Sequence, residues 1–372
     1  ALHPMYIRLE AVGKLKNASD IKHYNTIREE LNKLPEVDYE RVNKAKTEYL
    51  KKLFVESGEK TLKLKKYKEF VDKNSFWLKP YATFRVLRDK NGTVDYKLWG
   101  DMATYNPEKV DDFISKNTED INFIYFLQYH LDKQLREVRD YAHAKGVVLK
   151  GDIPIGISRT SVDAWANPRL FNLDCQAGAP PDDFSISGQN WGFPTYNWEE
   201  MSKDGYQWWK DRFAKMAEYF DAYRIDHILG FFRIWEIPME AVHGLLGRFN
   251  PALPYSTDEM RRKYEFCMNP DLYTRPYIMD WFLSDIFGEY TEEVKNNFMI
   301  ARGNGRYDLH PKFATQRQVV NYFNTLEPNE KNSAIRDSLL RLIEDVLFIE
   351  DKSKKSHYHP RICAQNTYIY KS

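Results

Sequence analysis

Two stretches of the 372-residue chain repeat one pattern: an amphipathic helix running into a short apolar strand that closes on an aspartate. In the first, Leu127, Leu131, Leu135, Val138 and Ala142 recur every three or four residues, Gly146 supplies a stop, and Val147-Val148-Leu149-Lys150-Gly151-Asp152-Ile153 follows. Apolar residues at that spacing share one helix face, and glycine after the last turn is a natural C-terminal cap. In the second, Tyr206, Trp209, Phe213, Met216 and Phe220 keep helical spacing ahead of Ala222-Tyr223-Arg224-Ile225-Asp226. Strands reached through helices run parallel and are covered by those helices, so the fold class is α/β. Such folds place ligands and catalytic groups at the C-terminal ends of strands. A β/α barrel is favoured over a doubly wound sheet, because no glycine-rich phosphate loop follows either strand. No GxGxxG, GKS/T, HExxH or GxSxG pattern occurs in the chain.

Around these units the chain varies. Residues 19–73 read as charged surface helices whose many lysines form a solvated face. Phe84-Arg85-Val86-Leu87-Arg88 reads as a short extended piece, with a turn at Asp89-Lys90-Asn91-Gly92. Between the two strands, Gly and Pro rule out a regular helix or central strand over 154–196, yet the stretch is rich in aromatics and amides. A long loop holding apolar side chains reads as a lid or groove wall, or as a loop packed merely to cover the barrel. After Pro238 the pattern is mainly helical, as in Ser338-Leu339-Leu340-Arg341-Leu342-Ile343.

Composition excludes several classes. With 55 basic and 54 acidic side chains the net charge is +1, which argues against a nucleic-acid partner. No apolar run approaches the roughly 20 residues a bilayer span needs, so no membrane partner is expected. Cys175, Cys267 and Cys363 lie far apart without a C-x-x-C pair, and no signal peptide is visible at Ala1. That pattern suits a reducing compartment, hence a cytoplasmic location. Nine Trp, 25 Tyr and 22 Phe bring aromatic content to 15%. They serve either a large aromatic core or a surface that stacks on sugar rings.

Arg224, Ile225, Asp226 and His227 carry the most chemistry. Residues i and i+2 of a strand share a face, so Arg224 and Asp226 are expected to point the same way. A guanidinium beside Asp226 would hold its carboxylate ionised, as a nucleophile at a sugar carbon requires. His227 would donate to a neighbouring hydroxyl. The same spacing equally serves a buried Arg–Asp pair capped by a histidine. Retaining chemistry also needs a protonated carboxyl about 5–5.5 Å from the nucleophile. Candidates are Glu236, whose neighbours Trp235 and Ile237 suggest an apolar pocket, and Glu344-Asp345, where a surface ion-pair role fits better. Asp152 suits a sugar hydroxyl. His357 and His359 lack companion ligands, so no metal is expected.

These residues resemble the 4-α-glucanotransferases of the amylomaltase and disproportionating-enzyme type, in the α-amylase-like clan. The resemblance rests on Lys150-Gly151-Asp152-Ile153-Pro154-Ile155-Gly156-Ile157, on Ser161-Val162-Asp163-Ala164-Trp165-Ala166-Asn167-Pro168, and on the Gly178–Tyr196 loop. It continues through Tyr223-Arg224-Ile225-Asp226-His227 to Trp235-Glu236-Ile237-Pro238. The wording from Asp226 to Phe232 resembles the branch of plant cytosolic disproportionating enzymes and bacterial relatives. By resemblance, Asp226 is the nucleophile and Arg224 orients it. Asp152, His227, Gln189, Trp191, Phe184 and Trp235 contact substrate. Asp183 stands where some amylomaltases carry an aromatic. The family's acid/base glutamate belongs to a Glu-Asp-Leu-Gly segment and its third carboxylate to a His-Asp segment, and neither wording occurs in these 372 residues. The chain therefore reads as an internal fragment, expected to be inactive in isolation.

The expected fold is a partial (β/α)8 barrel with a long loop and mainly helical insertions. Residues 1–238 would belong to the catalytic barrel, with 154–200 as the active-site loop region, and 239–372 would form the insertion. The expected activity is retaining transfer of α-1,4-glucan segments between maltooligosaccharides or glucose acceptors through a covalent glycosyl-enzyme, with no cofactor. Hydrolysis of the same bonds and non-catalytic glucan binding are the alternatives.

Overall fold

A computed structural model describes residues 1–370. The chain is α/β, and its contacts divide it into two units. The first comprises Ala1–Pro154, Thr160–Leu170 and Trp198–Asp226, and the second Ile155–Arg159, Phe171–Asn197 and the chain from His227 onward.

Long helices build the first unit: Tyr39–Leu62, Lys65–Asn91 and Thr118–Ala144. Asp38 caps the first of them by accepting from the amide of Arg41. Their apolar stripes meet in one core that includes Leu50, Leu53, Leu78, Ala82, Ile121 and Phe126. The extended piece expected at Phe84–Arg88 is instead the last part of Lys65–Asn91, and the expected turn is that helix's end, where Gly92 sits left-handed at φ 64°. Local β preference loses to packing here, because Ala82, Phe84, Val86 and Leu87 are all buried. The Phe84 ring lies 4.9 Å from Trp99 and 5.9 Å from Trp165.

Eight strands position the candidate site: β1 (Lys150–Ile153), β2 (Phe171–Asn172), β3 (Cys175–Ala179), β4 (Gln189–Asn190), β5 (Thr195–Tyr196), β6 (Ala222–Ile225), β7 (Ile234–Pro238) and β8 (Arg248–Asn250). In the first unit, β1 and β6 pair in parallel. The helix Gln207–Ala217 leads into β6, as the helix Thr118–Ala144 leads into β1.

In the second unit, β4, β3, β7 and β8 form an antiparallel sheet in that order, and β2 pairs with β5. This corrects the expectation that 154–196 holds no central strand, because β3 is an inner strand of the sheet. Gly178 is what permits it: a Cβ there would lie 2.1 Å from the Gln189 carbonyl oxygen and 2.6 Å from Ile237 Cδ1. The glycine marks close backbone approach inside a strand, where it reads as a breaker in the sequence. Beyond the sheet, Asp280–Phe287, Thr291–Phe298, Gln316–Phe323 and Glu330–Ile343 enclose a second core around Phe282, Leu283, Val319 and Leu339. Short antiparallel strands such as Met299–Gly303 with Arg306–Leu309 lie among these helices.

The aromatic excess resolves largely into packing: Trp99, Trp165, Trp209 and Trp235 are all interior.

Candidate active site

Register decides the first unit's polar groups. Pairing β1 with β6 sets Asp152 opposite Arg224, and Arg224 Nη2 donates to Asp152 Oδ2 at 2.8 Å. Both side chains are exposed, which limits such a pair to about 0–1 kcal/mol. The guanidinium is thus engaged by the aspartate of the neighbouring strand, where the i, i+2 spacing had suggested Asp226. Asp226 follows the last residue of β6, is exposed, and makes no hydrogen bond or ion pair among the described residues.

The start of β6 is fixed by groups the sequence did not single out. Asp221 Oδ2 accepts from the Leu149 amide at 2.9 Å and contacts His143 Nε2 at 3.0 Å. That backbone hydrogen bond, then the histidine, holds its carboxyl below the usual range. Gly151 of β1 has no room for a side chain, since a Cβ there would meet the Phe220 ring at 2.7 Å and Met216 Cε at 3.0 Å. Arg212 donates to the Pro154 carbonyl at 3.0 Å and lies 5.1 and 5.0 Å from the Trp208 and Trp209 ring centres.

Behind the helix Gln207–Ala217, Lys215 Nζ reaches Asn74 at 3.1 Å, Asp132 at 3.3 Å and Glu218 at 2.7 Å. Burial opposes ionisation of Glu218, yet Lys215, Lys73 and Arg136 together hold its carboxyl down to about 2. The network ties this helix to Lys65–Asn91 and Thr118–Ala144.

In the second unit, Trp191 is half-buried and its indole N–H donates to Gln189 Oε1 at 3.0 Å. The backbone around it is locked to β3: the Trp191 amide donates to the Ala177 carbonyl at 2.9 Å, and the Ala177 amide to the Phe193 carbonyl at 2.8 Å. Trp191 meets the His227 ring edge-on, with centroids 5.1 Å apart. Phe184 is 98% exposed at a tip held by Asp182, whose Oδ1 accepts from the amides of Phe184 and Ser185. Asp183, at the same tip, is exposed.

Three expectations need correction. Trp235 is 4% exposed, packs on Phe249 and Ala241, and donates its N–H to the Gly244 carbonyl at 2.8 Å, so it offers no face to a sugar. Glu236 is buried, but not in an apolar pocket. Its strand neighbours Trp235 and Ile237 point to the other face, and it accepts from Thr195 Oγ1 at 2.6 Å and Asn250 Nδ2 at 3.1 Å. Glu344 is interior rather than a surface ion-pair member, 2.7 Å from His243 Nδ1 and 3.2 Å from Gln316 Nε2.

His359 pairs with Asp351 at 2.7 Å in the interior, and among the described residues no His, Cys, Asp and Glu side chains group to hold a metal ion.

The profile of one family, described as 4-alpha-glucanotransferase, matches residues 1–357. The chain belongs to the 4-alpha-glucanotransferase family. Among its relatives in that family is the 4-alpha-glucanotransferase DPE2 of Oryza sativa subsp. japonica, 40% identical over 99% of this chain and 39% of its own length. The 4-alpha-glucanotransferase of Chlamydia pneumoniae is 33% identical over 63% of this chain and 45% of its own length. The chain therefore spans less than half the length of these relatives. Among solved structures, an amylomaltase from Streptococcus agalactiae in complex with acarbose is similar in fold. It has a TM-score of 0.56 and 23% identity, covering 90% of this chain and 74% of its own. An amylomaltase from Corynebacterium glutamicum gives a TM-score of 0.51 at 22% identity, over 66% of this chain and 34% of that one.

For a 4-alpha-glucanotransferase family member, Asp221 and Gly151 are what the sequence reading missed. A carboxylate before a strand and a glycine inside one carry no local signal, and only Leu149 and His143 beside the one, and Phe220 and Met216 beside the other, reveal them.

Proposed function

We propose that this chain carries the nucleophile of a 4-α-glucanotransferase acting on α-1,4-glucans. The observation that carries the reading is Asp226: an exposed carboxylate, bound to nothing among the described residues, directly after the parallel strand β6. Groups with unspent hydrogen-bonding capacity at that end of a parallel strand are where β/α enzymes keep their reacting atoms.

Asp226 Oδ forms a bond to the donor sugar's C1 as the bond from C1 to the leaving 4-oxygen breaks, and that oxygen takes a proton from a carboxylic acid. An acceptor sugar's 4-hydroxyl then attacks C1 and returns its proton to the same acid, releasing Asp226. Neither Glu236 nor Glu344 fits the proton donor, because both are committed to interior hydrogen bonds. Arg224 orients Asp152, which takes a sugar hydroxyl. His227, Gln189, Trp191 and Phe184 contact the acceptor. No cofactor is required.

In this reading β1 and β6 are two strands of a (β/α)8 barrel to which residues 1–238 contribute. Residues 154–200 border the site, and 239–372 are the insertion. Three unpaired cysteines support a cytoplasmic setting for starch or maltose metabolism.

The test is product analysis with maltotriose on the full-length protein. Longer oligomers together with glucose support transfer, whereas glucose and maltose without longer products point to hydrolysis. Asp226→Asn should lower the rate by about 10³-fold or more while glucan binding survives. An unchanged rate in that variant removes Asp226 from the mechanism.

A further inference from the structure

The bare backbone of Gly156, just past β1, is covered by an aromatic ring. A Cβ built there would lie 2.3 Å from Phe193 Cδ2 and 2.6 Å from its Cε2. No real Cβ sits so close, so a side chain at 156 must push the ring aside. Phe193 stacks on Trp191, with centroids 5.9 Å apart and planes 21° from parallel. Trp191 meets His227 edge-on at 83°. The turn between the two aromatics is itself fixed: Gly192 has φ 78°, and its amide donates to Asn190 Oδ1 at 3.0 Å.

His227 ends this ladder under unusual constraint. Its φ is 50°, a left-handed conformation that residues with a side chain seldom adopt. A Cβ on Gly230 would come within 2.8 Å of its Cδ2, so the imidazole also rests on a second bare backbone. Its ring makes no hydrogen bond among the described residues. Packing alone aims both of its nitrogens, and the packing traces back through Trp191 and Phe193 to the missing side chain at 156.

We infer that Gly156 is a positioning residue for His227, acting through Phe193 and Trp191 to set the direction in which the imidazole meets an acceptor sugar's hydroxyl. The acceptor part rests on the transferase reading above, while the ladder part does not. A side chain at 156 displaces Phe193, and the stack transmits the displacement.

The experiment uses the full-length protein in two arms. In the first, 5-fluorotryptophan is incorporated and the Trp191 resonance is assigned with Trp191→Phe. Gly156→Ala is expected to move that resonance, and an unmoved signal overturns the ladder whatever the activity. In the second, glucose is titrated as acceptor. Gly156→Ala is expected to raise the acceptor KM about tenfold while kcat at saturating glucose changes less than about twofold. In a His227→Asn background the same substitution should leave the acceptor KM where that background sets it. An equal rise there, or none in the parent, overturns the positioning role. Gly156→Ala/Phe193→Ala relieves the clash and should recover the melting temperature but not the acceptor KM; recovery of both overturns the proposal. Should Gly156→Ala not fold, Phe193→Leu alone removes the stack without a clash, and the same two readouts decide. Absence of longer products from the parent itself refutes the transferase reading, and the fluorine signal still judges the ladder.

Discussion

A carboxylate with no hydrogen bond is tolerable only where water reaches it, and Asp226 meets that condition at the end of β6. His130 presents the opposite case. It is 7% exposed, neither ring nitrogen has a hydrogen-bond partner, and the Phe126 ring lies 4.4 Å away. Burial, reinforced by Lys133, pushes its pKa down to about 4. An imidazole kept neutral in the fold must take up a proton when the chain unfolds below its free pKa near 6.5. Its contribution is therefore complete above about 6.5 and is lost as the pH falls from there toward 4, by roughly 3 kcal/mol at the bottom of that window. The urea midpoint should drop between pH 7 and pH 5, and His130→Leu should remove most of that drop. At this scale the sequence identified residues better than partners. Asp152, Arg224 and Asp226 were all legible from strand ends, but which aspartate the arginine meets depends on the register of two strands 72 residues apart in the chain. Glu236 was misjudged because its flanking apolar residues face away from it.

At the scale of elements, glycine was the source of error. The stretch 154–196 reads as loop because Gly and Pro punctuate it, whereas Gly178 is the residue that lets β3 and β4 close. Gly178→Ala should force them apart and cost about 1–3 kcal/mol, measurable as a lowered melting temperature. Helices were easier to recognise, since a 3.6-residue period survives in sequence without knowledge of partners. Helix ends were not, as Phe84–Arg88 shows. Their docking is equally hidden, because Lys215 meets Asn74 and Asp132 only in three dimensions. Lys215→Met strips Glu218 and Asp132 of a shared cation. With a quarter of the lysine exposed, the expected loss is about 1–3 kcal/mol. Glu218 contributes stability above its unfolded value and loses it as pH falls toward about 2, so the variant should also be less sensitive to acid across that window.

For the molecule as a whole, the helix–strand repeat announced an α/β chain, but not its division into two units. Residues 171–197 belong with the region after His227 rather than with the strands that flank them in sequence. Hydropathy has no term for such a long-range exchange. Each unit has its own core, so denaturation followed by hydrogen exchange should resolve two cooperative sets of amides. Lys215→Met should weaken protection in the first set and Gly178→Ala in the second. A single set responding to both would contradict the division.

Of the five places where the chain passes between the units, one is the peptide bond between Asp226 and His227. Two adjacent residues thus belong to units with separate interiors. Substitutions deep in the second interior have a route to retune the histidine while leaving the neighbouring aspartate undisturbed. On the reading proposed above, a lineage can explore new sugar acceptors through the second interior without touching the residue assigned to bond breaking.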